Sequence, residues 1–167
     1  MKTIRTSLLA MAFLFIVTSC SKDDNDAVEA ANYSIDLNLA QETDWLIADD
    51  ILVLINKHRV SIGLSKIERD QQYASAYAVA HTKYMIDMDR INHDNFSIRS
   101  AALKDRGAKI VGENVAYGYE TAEAVVHAWL SSPSHKNIIE GNYTHSGFGV
   151  VPNANGTYFF TQLFYSK

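Results

Sequence analysis

A single cysteine, Cys20, and only two prolines occur in the 167 residues. One cysteine excludes an intrachain disulfide framework and any multi-cysteine zinc ribbon. Positive charge is also scarce, since the formal net charge is −4. That excludes a sequence-independent nucleic-acid binder, which needs a basic stripe to neutralise phosphates. No apolar run is long enough to span a bilayer. The longest, Leu8 to Val17, makes about 15 Å of helix against a hydrocarbon core of roughly 30 Å. The chain lacks a phosphate-cradling glycine loop, a G-x-S-x-G elbow and any histidine pair at H-x-x-x-H spacing. What it has is an ordinary globular composition, 47% apolar and 20% charged, with enough length for one full core.

The short apolar run follows Lys2 and Arg5 and ends in Val17-Thr18-Ser19-Cys20. A basic start, an apolar stretch too short to span and small residues before a cut make a secretory leader. The tetrapeptide resembles a bacterial lipobox, which implies cleavage before Cys20 and acylation of its thiol and amine. Several buried acyl chains make a stable anchor, at about 0.8 kcal/mol per buried CH₂. Ser21-Lys22-Asp23-Asp24-Asn25-Asp26 is polar and acidic. It is similar to the surface-export signal of Bacteroidetes lipoproteins, and it is equally the polar tether any lipoprotein needs. The expected organisation is residues 1–19 as leader, 20–43 as lipidated cysteine and flexible tether, and 44–167 as a domain. Losing Lys2 and Arg5 with the leader makes the mature chain more acidic still.

Hydrophobic spacing divides the rest. Residues 32–39 alternate and suggest an edge strand or nothing regular. Thr43 or Asp44 caps a helix from Trp45 to about Val60, with Ile47, Ile51, Leu54 and Ile55 at spacings of three and four. Gly63 ends it as a left-handed cap. A second helix runs from Asp70 to about Met88 on a Tyr73, Ala76, Tyr77, Ala80, Tyr84 stripe, and a third covers Ile98 to Arg106. Thr121 caps a fourth, whose apolar face includes Val125, Val126 and Trp129. Ser132-Pro133 restarts a helix, with proline at its first position. Gly147 to Val151 and Thr157 to Tyr165 are strands about an Asn155-Gly156 turn. The fold class is α+β.

Three segments carry the functional signal: Ile91-Asn92-His93-Asp94, Gly112-Glu113-Asn114-Val115-Ala116-Tyr117-Gly118, and Trp129 to Ile138 with Ser132, His135 and Asn137 inside it. With Ile55-Asn56-Lys57-His58-Arg59 before them and the two strands after, they resemble the CAP superfamily (cysteine-rich secretory, antigen 5 and pathogenesis-related 1 proteins) in a compact bacterial form, over roughly residues 47 to 167. The resemblance implies an α–β–α sandwich, an antiparallel sheet flanked by helices, with a central cleft. It implies that His93 and His135 are the family's two cleft histidines, able to hold zinc or another divalent ion, and that Glu113 is its first glutamate. The second glutamate is replaced by Ser132, which leaves two imidazoles where zinc takes about four ligands. Metal binding is therefore expected to be weak.

Glu113 has two readings: a general base or partner fixing a histidine tautomer, or a buried carboxylate accepting backbone N–H groups. His93 and His135 form a shared metal or anion site, or tie loops together. Asn114, Asn137 and Ser132 support the cleft, His81 is a packed histidine, and His58, His127 and His145 are surface groups. Three functions follow: an envelope lipoprotein binding an extracellular lipid, peptide, glycan or host protein; a metal-assisted hydrolase using His93, His135 and Glu113; or a structural envelope protein. The departure at Ser132 puts binding first and enzymatic activity last. The expected place is the bacterial outer membrane, on the cell surface or facing the periplasm. The expected partners are the membrane, through the lipid anchor, and an extracellular ligand. No nucleic acid is expected, and the chain is expected to be a monomer.

Overall fold

The computed structural model describes residues 33–167; Cys20, the leader and most of the expected tether lie outside them. In chain order the elements are a 3-10 helix (Leu37–Glu42), α1 (Trp45–Ser61), β1 (Glu68–Arg69), α2 (Tyr73–Asp87), α3 (Phe96–Asp105), β2 (Val111–Tyr117), α4 (Ala122–Ser131), α5 (Pro133–Ile139), β3 (His145–Pro152) and β4 (Tyr158–Tyr165). The sheet order is β1-β3-β4-β2. It is antiparallel except where two-residue β1 runs parallel to β3.

Alternation along β4 sorts the core into two layers. Leu163 and Tyr165 pack with Tyr73, Ala74, Tyr77, Ala78, Ala102 and Leu103 of α2 and α3. Phe160 and Phe164 pack on the opposite face with Ile51, Ile55, Val125, Trp129 and Ile139 of α1, α4 and α5. This is the α–β–α sandwich. One close approach sets its geometry. A Cβ on Gly147 or Gly149 would stand 2.4 Å from the α2 backbone at Ala74 or Ala78. Four helical residues rise about 6 Å and two strand residues about 6.7 Å, so the alanines and glycines stay in step.

Asp44 caps α1 through Leu46 N and Ile47 N, and Thr121 caps α4 through Ala124 N. Gly63 and Gly156 have the positive φ that the helix stop and the hairpin turn require. The alternating stretch is no strand over its described residues 33–39. Asp36 caps a 3-10 turn there instead. Nor does the tether extend to residue 43, because residues 33–43 belong to the compact unit. Tyr33 and Ile35 pack against the α2 layer, Thr43 Oγ1 donates to Phe148 O (2.7 Å), and Asp44 N donates to Val150 O (2.8 Å). These bonds, with Ser75 Oγ accepting from Phe148 N, close the edge of β3 beyond short β1. Sequence spacing missed β1 and β2. The first is too short to show a period, and the second is buried along Gly112–Ala116 and so does not alternate.

Candidate functional site

β2 is an edge strand, and its neighbouring residues Glu113 and Asn114 reach to opposite faces of the sheet. Each holds one of the two predicted histidines. Glu113 is buried. Its Oε1 accepts from His93 Nδ1 (2.8 Å) and Arg99 Nη2 (2.8 Å), and its Oε2 accepts from Arg99 Nε (2.7 Å). On the other face, Asn114 Nδ2 donates to the His135 carbonyl (3.2 Å) at the start of α5.

The loop carrying His93 is built rather than loose. Asp94 N donates to Asn92 Oδ1 (2.9 Å), Tyr84 Oη to Asp94 Oδ2 (3.0 Å), and Arg99 Nη1 to Asp94 O (2.7 Å). Asn95, with φ +58, turns the chain into α3. Behind the loop, His81 is buried with Nε2 on Asn92 O (2.9 Å) and 4.0 Å from Glu113 Oε1. That distance does not make an ion pair. Burial first, and then the Arg99 charge, lower the His81 pKa against the pull of Glu113, so the ring is neutral and donates from Nε2.

Burial alone raises the Glu113 carboxyl. The hydrogen bonds from His93 and Arg99 and the Arg99 charge outweigh it, so the pKa lies below the ordinary carboxylate value. An ionised carboxylate has no proton to give. Therefore the proton in the His93–Glu113 bond sits on Nδ1, and the Nε2 edge of a side chain that is 52% exposed is left for a ligand. His135 is half-buried. Burial first, and then nearby His93, push its pKa down and keep it a neutral acceptor. The two histidines lie beside edge strand β2, one tied to Glu113 and the other to Asn114.

The expectation that a buried Glu113 would be satisfied by backbone N–H groups is overturned, since all its partners are side chains. Ser132 caps α5 by position without a side-chain capping bond, and its Oγ lies 3.2 Å from Ser134 Oγ. Asn137 is exposed on α5 and takes no part in the network. His58 is half-buried against Glu140 (2.8 Å), and His145 stacks on Tyr165, so neither is a simple surface group. Arg99 is the functional residue that sequence reasoning missed. The available signal was an arginine three and four positions before Ala102 and Leu103, on the buried face of its helix.

The resemblance implies a metal at the two histidines. Among the described residues no group of three or more His, Cys, Asp or Glu side chains is placed to hold a metal ion. The Glu113 oxygens are occupied by Arg99 and His93. The described donors therefore do not make a closed zinc site, and no chemical step is routed through a metal.

The family model for the cysteine-rich secretory protein family, CAP, matches residues 52–164. The uncharacterized membrane protein YlbC of Bacillus subtilis strain 168 is 38% identical over 107 residues, which are 60% of this chain and 30% of that protein. The chain thus spans under a third of that relative's length. An outer surface protein of Borrelia burgdorferi has a structure matching 71% of this chain and 93% of its own, with 25% identity and a TM-score of 0.62. An extracellular protein of Bacillus anthracis containing an SCP domain matches 71% of this chain and 40% of its own, with 28% identity and a TM-score of 0.58. Among the described residues no helix is long and apolar enough to cross a membrane. The family match covers more than half of the sequence, in the segments that build the Glu113 network and both histidines, and the chain belongs to the CAP family.

Proposed function

We propose that this chain is a lipid-anchored CAP protein of the cell envelope that binds an extracellular ligand at the free edge of β2, through His93 and His135. The observation that carries this reading is the saturation of Glu113. A carboxylate held below its ordinary pKa by Arg99 and His93 is a poor general base, because it has little tendency to take a proton near neutrality. What it does well is aim an imidazole outward with its Nε2 edge exposed. Such a site exchanges hydrogen bonds with hydroxyl or amide groups, as a glycan or peptide offers. Anchoring through Cys20 and display at the surface rest on the lipobox-like tetrapeptide and the acidic stretch after it. A Borrelia relative named as an outer surface protein and a Bacillus anthracis relative named as extracellular support that placement.

The test is co-sedimentation of the purified protein with peptidoglycan sacculi and with phospholipid vesicles, in the presence of a chelator. Saturable binding is expected that falls at least tenfold in His93→Gln/His135→Gln, a change within the worth of one or two hydrogen bonds to buried or partly buried partners. Background binding to both materials would end this reading. Chelator-sensitive release of soluble fragments from sacculi would replace it with the hydrolase.

A further inference from the structure

The outer face of α1 carries an apolar stripe that nothing in the described chain covers. Leu46, Val53 and Val60 are 77%, 65% and 52% exposed. They stand seven residues apart, so the stripe drifts only about 20° per step. It lies opposite Ala48, Ile51 and Ile55, the residues that fix α1 to the core. Asp50 and Lys57, also seven apart, flank the stripe on one side. Both are exposed, and neither forms an ion pair among the described residues.

We propose that this face pairs two copies of the chain, α1 against α1, antiparallel about a two-fold axis at Val53. The helix arithmetic makes the face self-complementary. Val53 meets the second copy's Val53, and Leu46 meets its Val60. Asp50 lies about 4.5 Å before Val53 along the helix and Lys57 about 6 Å after it. Inverting one copy brings each Asp50 to within about 1.5 Å of the height of the other copy's Lys57, on the same flank of the seam. A parallel pair would carry the second copy's Asp50 and Lys57 to the opposite flank of the seam and form no such pair. Charge therefore selects the antiparallel register, and the contact closes as an isologous dimer. A shallow groove of about 350 Å³ between α1 and α4, lined by Leu54, Val126 and Leu130, receives side chains at the margin. One helix pair is small beside the roughly 1,200–2,000 Å² of stable complexes, so the dimer is concentration-dependent. This departs from the monomer expected from the sequence and is independent of the histidine site.

Sedimentation of the full chain tests it. Val53→Lys abolishes the dimer. Asp50→Lys weakens it roughly tenfold by setting lysine against Lys57 twice per dimer, and Asp50→Lys/Lys57→Asp restores it. All three positions are exposed, so circular dichroism is expected to stay unchanged. In a Cys20→Ser background, Val53→Cys gives a disulfide-linked dimer on oxidation, whereas Ile98→Cys, at a similarly exposed position on α3, does not. Equal cross-linking at both positions overturns the proposal. So does failure of the double charge swap to restore association, or a wild-type chain that stays monomeric at its highest soluble concentration. A monomer whose Val53→Cys thiol is shielded from a thiol reagent also overturns it, and assigns the face to the chain's own N-terminal segment.

Discussion

Arg59 and Glu113 are both buried charges, and they are satisfied in opposite ways. Arg59, 2% exposed, gives Nε to Ser65 O (2.9 Å), Nη1 to Ile139 O (2.6 Å) and Gly141 O (2.8 Å), and Nη2 to Tyr143 O (3.3 Å). Every acceptor is a backbone carbonyl, and among the described residues no carboxylate answers it. Glu113, 6% exposed, is answered only by side chains, Arg99 and His93, and one of those reaches solvent. The first arrangement fixes chain path, clamping the end of α1 to the turns after α1 and α5. The second passes its constraint outward to a ring that a ligand can touch. A buried charge is thus a sign of function when one of its partners is half in water, and a sign of architecture when all of them are main chain.

The largest predicted effect breaks the architectural half. Arg59→Met takes the donor from the Ser65, Ile139 and Tyr143 carbonyls, while Gly141 O keeps Tyr143 N, at about 1–3 kcal/mol for each one left buried. We expect an unfolded or strongly destabilised protein in urea denaturation, and no single second change to rescue it, because the acceptors are backbone. Arg99→Met also destabilises, by about 3–5 kcal/mol, since it strands the Glu113 charge. Here a partner can be removed. Arg99→Met/Glu113→Leu is expected to recover most of the loss while disordering His93, seen as collapse of the His93 ring-proton shift dispersion. Equal rescue of both arginines would erase the distinction.

Acid sharpens the same contrast. His81 and His135 have folded pKa values below the unfolded value of about 6.5. The unfolded chain therefore binds more protons, and stability falls as pH drops from near 7 through the folded values. Glu113 is also depressed, so its contribution is present above its unfolded value of about 4.3 and is lost as pH falls through the folded one. A urea midpoint measured against pH should decline in two stages. His81→Asn is expected to shrink the upper stage and leave the lower. A profile unchanged by that substitution would separate His81 from the network.

How much of this could be read from the sequence varies with the physical source of each signal. Helices α1 and α4 were legible because their caps, Asp44 and Thr121, and their 3.6-residue period are local. The hairpin of β3 and β4 was legible because Asn155-Gly156 admits few turns. β2 was not, since a strand buried on both faces carries no alternation, and neither was the 3-10 turn, since the short alternating run there suggests an edge strand or nothing regular. Of the site, the family resemblance supplied His93, His135 and Glu113. Their wiring was hidden, because the partner of Glu113 is Arg99, fourteen residues earlier and on a different element. Nothing in sequence spacing says that a buried carboxylate will find an arginine rather than a row of N–H groups. Only the packing of α3 against β2 decides it.

The smallest predicted effect is the most telling. His93→Gln removes one of three hydrogen bonds to Glu113 and leaves the two-pronged Arg99 pair intact. The side chain is half in water, so little is desolvated for nothing, and glutamine can still donate toward Oε1. We expect a stability change within about 1 kcal/mol at neutral pH, against the several lost at Arg99. The wild-type circular dichroism spectrum should be retained. If His93→Gln were as costly as Arg99→Met, the ring would be a strut of the fold and the outward end of the network would have no freedom to serve a ligand. If the cost is small, the two ends of one buried ion system separate cleanly: Arg99 holds the charge, and His93 presents it.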